Sequence, residues 1–122
     1  MREISPKELN SDFEATLKAC SSANLSESDD ILEHLIFEEF DVGVTSFLHD
    51  SSLKRLLRAG YIDDTIKELC TEFRRKAILA LQDCRSVSAV RSSDCWAIVI
   101  ELSDRIMQLK AVHDQIRKRV SP

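Results

Sequence analysis

Glycine and proline are nearly missing from this chain: two of each serve 122 residues, with one proline near each terminus. That leaves few of the turns a β-sandwich or barrel requires and argues against an all-β fold. Long apolar runs are missing too. None approaches the roughly 18 residues of a membrane span, and the opening Met1-Arg2-Glu3-Ile4-Ser5-Pro6-Lys7-Glu8 lacks the apolar stretch of a secretory signal. The expectation is a protein with no membrane partner. The four cysteines, Cys20, Cys70, Cys84 and Cys95, show no C-x-x-C spacing, so neither a zinc ribbon nor a thioredoxin-like site is indicated. Each falls among the apolar residues of an expected helix, where a thiol behaves as a small hydrophobe. Reduced core cysteines fit a cytoplasmic address.

Motifs that carry chemistry are also lacking. There is no G-x-x-x-x-G-K-[ST], G-x-G-x-x-G or G-x-S-x-G element, and two glycines cannot build a phosphate-cradling loop. His34, His49 and His113 are scattered, with no ligand pair on one helix face. A metal site would need His34 and Glu38 joined by His49 or Asp41 through tertiary folding. The short basic clusters Arg74-Arg75-Lys76 and Arg117-Lys118-Arg119 have no interleaved aromatics, and cations suit a helix C-terminus in any case. The chain is therefore expected to have no catalytic residues, no metal and no cofactor, not to be an enzyme, and not to bind nucleic acid directly.

What is present is ordinary globular composition, 43% hydrophobic and 31% charged. A chain of this length suits one domain over residues 1–122 that buries roughly two-thirds of its unfolded surface. Ser5-Pro6-Lys7-Glu8 has the form of a capping box with proline at the first helical position, and Leu9, Phe13, Leu17 and Cys20 follow at helical steps. Asp29-Asp30 opens a second helix with Ile31, Leu32, Leu35 and Ile36 on one side, running to about Phe40 and broken by Gly43. Asp50 or Ser51 caps a short helix carrying Leu53, Leu56 and Leu57, which stops at Gly60. Asp63 caps the clearest helix, lined by Ile66, Leu69, Cys70, Phe73, Ala77, Ala80, Leu81 and Cys84 and ending near Arg85. Residues 86–91 form a turn or one helical turn. Ser92 or Ser93 then caps a last long helix with Cys95, Val99, Leu102, Ile106 and Leu109 inward, and Trp96, Ile100 and Met107 widen that arc enough to place it centrally. The fold class is all-α, a compact bundle of four to five helices.

Charge is divided unevenly. Residues 1–53 hold twelve acids against three bases, and residues 54–122 hold nine acids against fourteen bases. From Ala19 to Leu53 there is no Lys or Arg at all, yet eight carboxylates lie there. Clustered like charges repel and cost stability, so the cluster suits steering of a basic partner; the competing explanation is a solvated face neutralised by the basic half of the same chain. Projected at about 100° per residue, Phe37 falls among Asp30, Glu33 and Asp41, while Glu39 falls on the apolar side. An aromatic framed by carboxylates would anchor an interface; alternatively the helix bends near Phe37 and buries both Phe37 and Phe40. The candidate partner-binding residues are Asp29, Asp30, Glu33, Phe37, Glu38, Glu39 and Asp41.

Gly43-Val44-Thr45-Ser46-Phe47-Leu48, then Leu53, Leu56-Leu57 and Gly60-Tyr61-Ile62-Asp63, lead into a long helix and on to Asp94, Trp96, Ile100, Leu102 and Asp104-Arg105-Ile106. Over residues 31–109 this resembles the small helical immunity proteins of bacterial contact-dependent growth inhibition and related polymorphic-toxin systems. The resemblance implies a cytoplasmic protein that binds a cognate toxin domain, often a basic nuclease, and implies no particular contact residues. The alternative is a structural or adaptor domain working through protein contacts, with the chain a monomer or weak homodimer.

Overall fold

Ser5 opens the first helix as its spacing predicts, its hydroxyl accepting from the Glu8 N–H at 3.1 Å with Pro6 in the first turn. In the computed structural model, which describes residues 4–120, this helix is α1 (Pro6–Ala19), and Leu9, Phe13 and Leu17 on its inner face are sealed from solvent. Met1-Arg2-Glu3 of the opening stretch lie outside the described residues. A 3-10 turn (Ser22–Ser26) follows, then α2 (Asp29–His34), a π segment (Leu35–Phe40) and α3 (Asp41–Ser46). After these come α4 (Asp50–Arg58), α5 (Asp64–Asp83), the short α6 (Val87–Ser92) and the 27-residue α7 (Asp94–Val120). The described residues contain no strand and form a compact all-α bundle.

The caps explain the punctuation. Asp63 accepts from the Ile66 N–H at 2.9 Å, Ser86 from Ala89 at 3.1 Å and Ser93 from Trp96 at 3.2 Å, each supplying a helix N-terminus with an acceptor it lacks. His49, rather than Asp50 or Ser51, caps α4, its Nδ1 accepting from Ser51 N–H. Gly60, at φ 84°, ends α4: the Tyr61 N–H reaches the Leu56 carbonyl at 2.9 Å and the Gly60 N–H reaches Leu57 at 3.1 Å, a Schellman closure.

Gly43 does not break its helix. The backbone stays helical from α2 through the π segment into α3, making one rod over residues 29–46. A Cβ on Gly43 would stand 2.2 Å from Thr16 Oγ1 of α1, so this glycine permits a close crossing of two helices. The buried residues of the rod and its exit, Leu32, Ile36, Phe40, Val44 and Leu48, recur at steps of four. In a regular α-helix each such step drifts about 40° around the axis, and four of them would carry the stripe out of the core. The π segment, with more residues per turn, cancels part of that drift.

Trp96 sits at the centre, fully buried, its Nε1 donating to the Cys84 carbonyl at 2.8 Å. Phe37 meets its ring edge-on at 6.1 Å and Phe40 lies 6.3 Å from it, while Phe40 also packs on Phe73 of α5 at 5.7 Å. α7 packs against α5, α1, α6 and the 3-10 turn, which is the central position its wide apolar arc predicts. Its buried polar groups are satisfied. Ser103 Oγ donates to the Leu17 carbonyl at 2.7 Å, and Lys110 Nζ pairs with Asp114 at 2.8 Å and Glu14 at 3.3 Å.

Candidate protein-binding surface

All seven candidate residues belong to the rod, and the structure divides them into two groups. The outermost two, Asp29 and Asp41, are tied to the molecule's own cations. Arg91, at the end of α6, donates to Asp29 Oδ1 at 3.0 Å and to the carbonyls of Glu27, at 2.8 Å, and Leu25. Arg85 donates to Asp41 Oδ2 at 3.1 Å and to the Phe37 carbonyl at 3.3 Å. The segment between α5 and α7 thus straps the rod at its start and again just past its middle.

Between the straps, Asp30, Glu33, Glu38 and Glu39 are exposed, and among the described residues none of them pairs with a Lys or Arg. Glu38 and Glu39 are instead paired with His34, which is hydrogen bonded by Nδ1 to Glu38 and lies 3.4 Å from Glu39 Oε1 by Nε2. The Glu38 hydrogen bond, with the charge of Glu38 and Glu39 behind it, raises the His34 pKa above its ordinary value of 6.5.

His34 and Glu38 form a ridge with a groove on either side. The larger, about 660 Å³, is lined by Asp30, Glu33, Phe37 and, from the strap, Arg85, Ser86 and Val87. The other, about 480 Å³, runs toward α1 past Glu39, Asp12, Val42 and Phe47. Phe37 is half-buried: its ring edges onto Trp96 while the Arg85 guanidinium stands 5.0 Å from its centroid. It is therefore both a core residue and part of the groove wall, not a freely standing anchor. Glu39 is exposed, contrary to its α-helical projection, because the π segment has turned it outward. Val42, 61% exposed, lies beside Glu39 and Phe47 in the lining of the groove toward α1 and is an apolar side chain that sequence patterning did not single out.

The histidines are held in separate tasks. His49 caps α4, and His113 Nε2 lies 2.9 Å from the Gly60 carbonyl. Among the described residues no group of three or more His, Cys, Asp or Glu is arranged to hold a metal ion, and no helix is long and apolar enough to cross a membrane. Arg74 reaches the Val44 carbonyl at 3.3 Å and Arg75 pairs with Glu72 at 2.6 Å, so the internal basic cluster is largely used within the fold. Cys20 and Cys70 are buried, whereas Cys84 and Cys95 are only half-buried, which departs from four core thiols. Compared with protein-family models, curated proteins and solved structures, the chain has no match.

Proposed function

We propose that this chain is an immunity protein that neutralises a cognate toxin domain, a basic nuclease, by presenting the acidic rod to its substrate-binding face. The observation that carries the reading is the unneutralised middle of the rod. The molecule's own arginines take Asp29 and Asp41, yet Asp30, Glu33, Glu38 and Glu39 stay in solvent without a Lys or Arg partner among the described residues. Such a strip of carboxylates competes for a cleft built for phosphates and speeds encounter with a basic surface. Half-buried Phe37 and Phe47 and exposed Val42 supply apolar contact beside it.

The test is kinetic. With the toxin domain encoded beside this chain's own reading frame, the double change Glu33→Lys and Glu38→Lys should slow association about tenfold at low salt and flatten the dependence of the on-rate on ionic strength. Unchanged kinetics with a basic toxin would remove the rod from the interface. A second reading, an adaptor that self-associates, is favoured by exposed Lys118 and Arg119 at the far end of α7, which complement the rod in charge. A dimer that sediments at low salt and dissociates at high salt with no toxin present would select it.

A further inference from the structure

Cys84, the C-terminal cap of α5, and Cys95, the second residue of α7, bring their Sγ atoms to 3.1 Å. A disulfide bond is about 2.05 Å long, so about 1 Å separates this pair from bonding, a gap that small side-chain rotations close. Both thiols line a cavity of about 250 Å³ together with Lys76, Leu79, Asp83 and Ile98, and Leu79 and Ile98 are themselves exposed, so a small reagent can enter. Cys20 and Cys70 have no such access: both are fully covered, and burial pushes the Cys70 thiol up to about 12 and the Cys20 thiol higher still.

We infer that Cys84 and Cys95 are a reactive dithiol site that accepts two-electron oxidation from a low-molecular-weight disulfide and closes to an intramolecular disulfide. Cys95 is the attacking sulfur. Hydrogen bonding with the Ser93 hydroxyl, 3.5 Å away, and then with Cys84 Sγ holds its pKa below the ordinary thiol value, and the N-terminus of α7 favours its negative charge. Cys84 is pushed the other way, first by its hydrogen bond with Cys95 and then by burial. The Cys95 thiolate attacks one sulfur of the reagent, R–S–S–R; the reagent's S–S bond breaks and the first thiolate departs, taking up the proton Cys95 released. Cys84 then attacks the Cys95 sulfur of the mixed disulfide, and its proton leaves with the second thiol. Two protein thiols lose two electrons, and one R–S–S–R becomes two R–SH.

The bond would join the two ends of the strap. Residues 84–95 hold α6 together with Arg85 and Arg91, the two side chains that grip the rod. Oxidation fastens that grip, and closing a loop of this size should raise Tm by roughly 5–10 °C.

The full chain, reduced and then exposed to glutathione disulfide, should lose two hydrogens in mass and, when subsequently denatured, show only two of its four thiols open to alkylation, with the peptides containing Cys84 and Cys95 linked. Cys84→Ser should stop at a stable glutathione adduct on Cys95, and Cys95→Ser should react about tenfold more slowly, at Cys84. The linkage in the unaltered chain is read without any variant, and a variant that fails to fold is recognised by labelling at Cys20 and Cys70 and replaced by its alanine counterpart. A persistent adduct without a cross-link in the unaltered chain, four unreacted thiols, or a bond involving Cys20 or Cys70 would overturn the assignment.

Discussion

Gly43 and Thr16 set how closely α3 approaches α1. Read along the chain alone, a glycine near the end of an apolar stripe signals a break; what it does here is visible only once Thr16 is brought against it by the crossing. Gly43→Ala would place a methyl 2.2 Å from Thr16 Oγ1 and 2.5 Å from its Cγ2, and overpacking of this kind costs about 1–3 kcal/mol. Denaturant unfolding should show that loss, and adding Thr16→Ala should recover part of it although it also removes the hydrogen bond from Thr16 Oγ1 to the Asp12 carbonyl. Strict additivity of the two changes would contradict the contact. His34 offers a second test at this scale. Glu38 chiefly, with Glu39, holds the imidazolium above its ordinary value of 6.5. Since the folded value is raised, the pairing contributes fully below pH 6.5 and fades as pH climbs through the folded value. Glu38→Gln should bring the His34 titration, followed by NMR, back toward 6.5; an unmoved titration would mean the pair does not persist in solution. The helical spacing of His34 and Glu38 was legible in the sequence, but as a metal-ligand candidate, because spacing alone does not distinguish a ligand pair from an ion pair.

Helix boundaries set by local chemistry were readable: the Ser5, Asp63 and Gly60 signals stand where the elements begin and end because a cap depends on residues within three or four positions. The π segment was not readable as such, since projection at 100° presumes the α period. Its trace was nonetheless present in the misfit itself, Phe37 among carboxylates and Glu39 on the apolar side, and the structure resolves that misfit by widening the helix instead of bending it. A π segment behaves as one residue too many in an α-helix. Deleting Glu39 should let residues 29–46 close into a regular α-helix whose stripe, now at steps of four, three, four and four, still faces the core. Its Tm should stay within about 5 °C of the parent, corresponding to roughly 1 kcal/mol. Inserting an alanine after Glu39 should instead rotate Phe40, Val44 and Leu48 away from Phe73 and Trp96, costing about 3 kcal/mol or more. Equal tolerance of deletion and insertion would show that the rod does not depend on this register.

The division of charge between the two halves was countable from the sequence, but which carboxylates the basic half would neutralise was not, because Arg85 and Arg91 reach Asp41 and Asp29 only through the path of the strap. With Asp29 and Asp41 paired and the carboxylates between them open, the molecule as a whole retains a local repulsion that it could relieve. Glu33 and Glu39 are the cleanest probes, being exposed and without a Lys or Arg partner among the described residues; Asp30 is less clean because its charge also favours the N-terminus of α2. At a pH above the raised value of His34, where that imidazole is neutral, Glu33→Gln with Glu39→Gln should stabilise the isolated chain by a few tenths of a kcal/mol, and more at low salt than at high. Asp29→Asn, which removes the bridge to Arg91, should act in the opposite direction by about 0.5–1 kcal/mol. Urea unfolding of all three chains at two salt concentrations decides the matter. If removing Glu33 and Glu39 destabilises the chain, those carboxylates serve the fold. If it stabilises the chain while slowing capture of a basic toxin, the rod carries charge that the fold alone would be better without, and the two measurements together tie that charge to the partner.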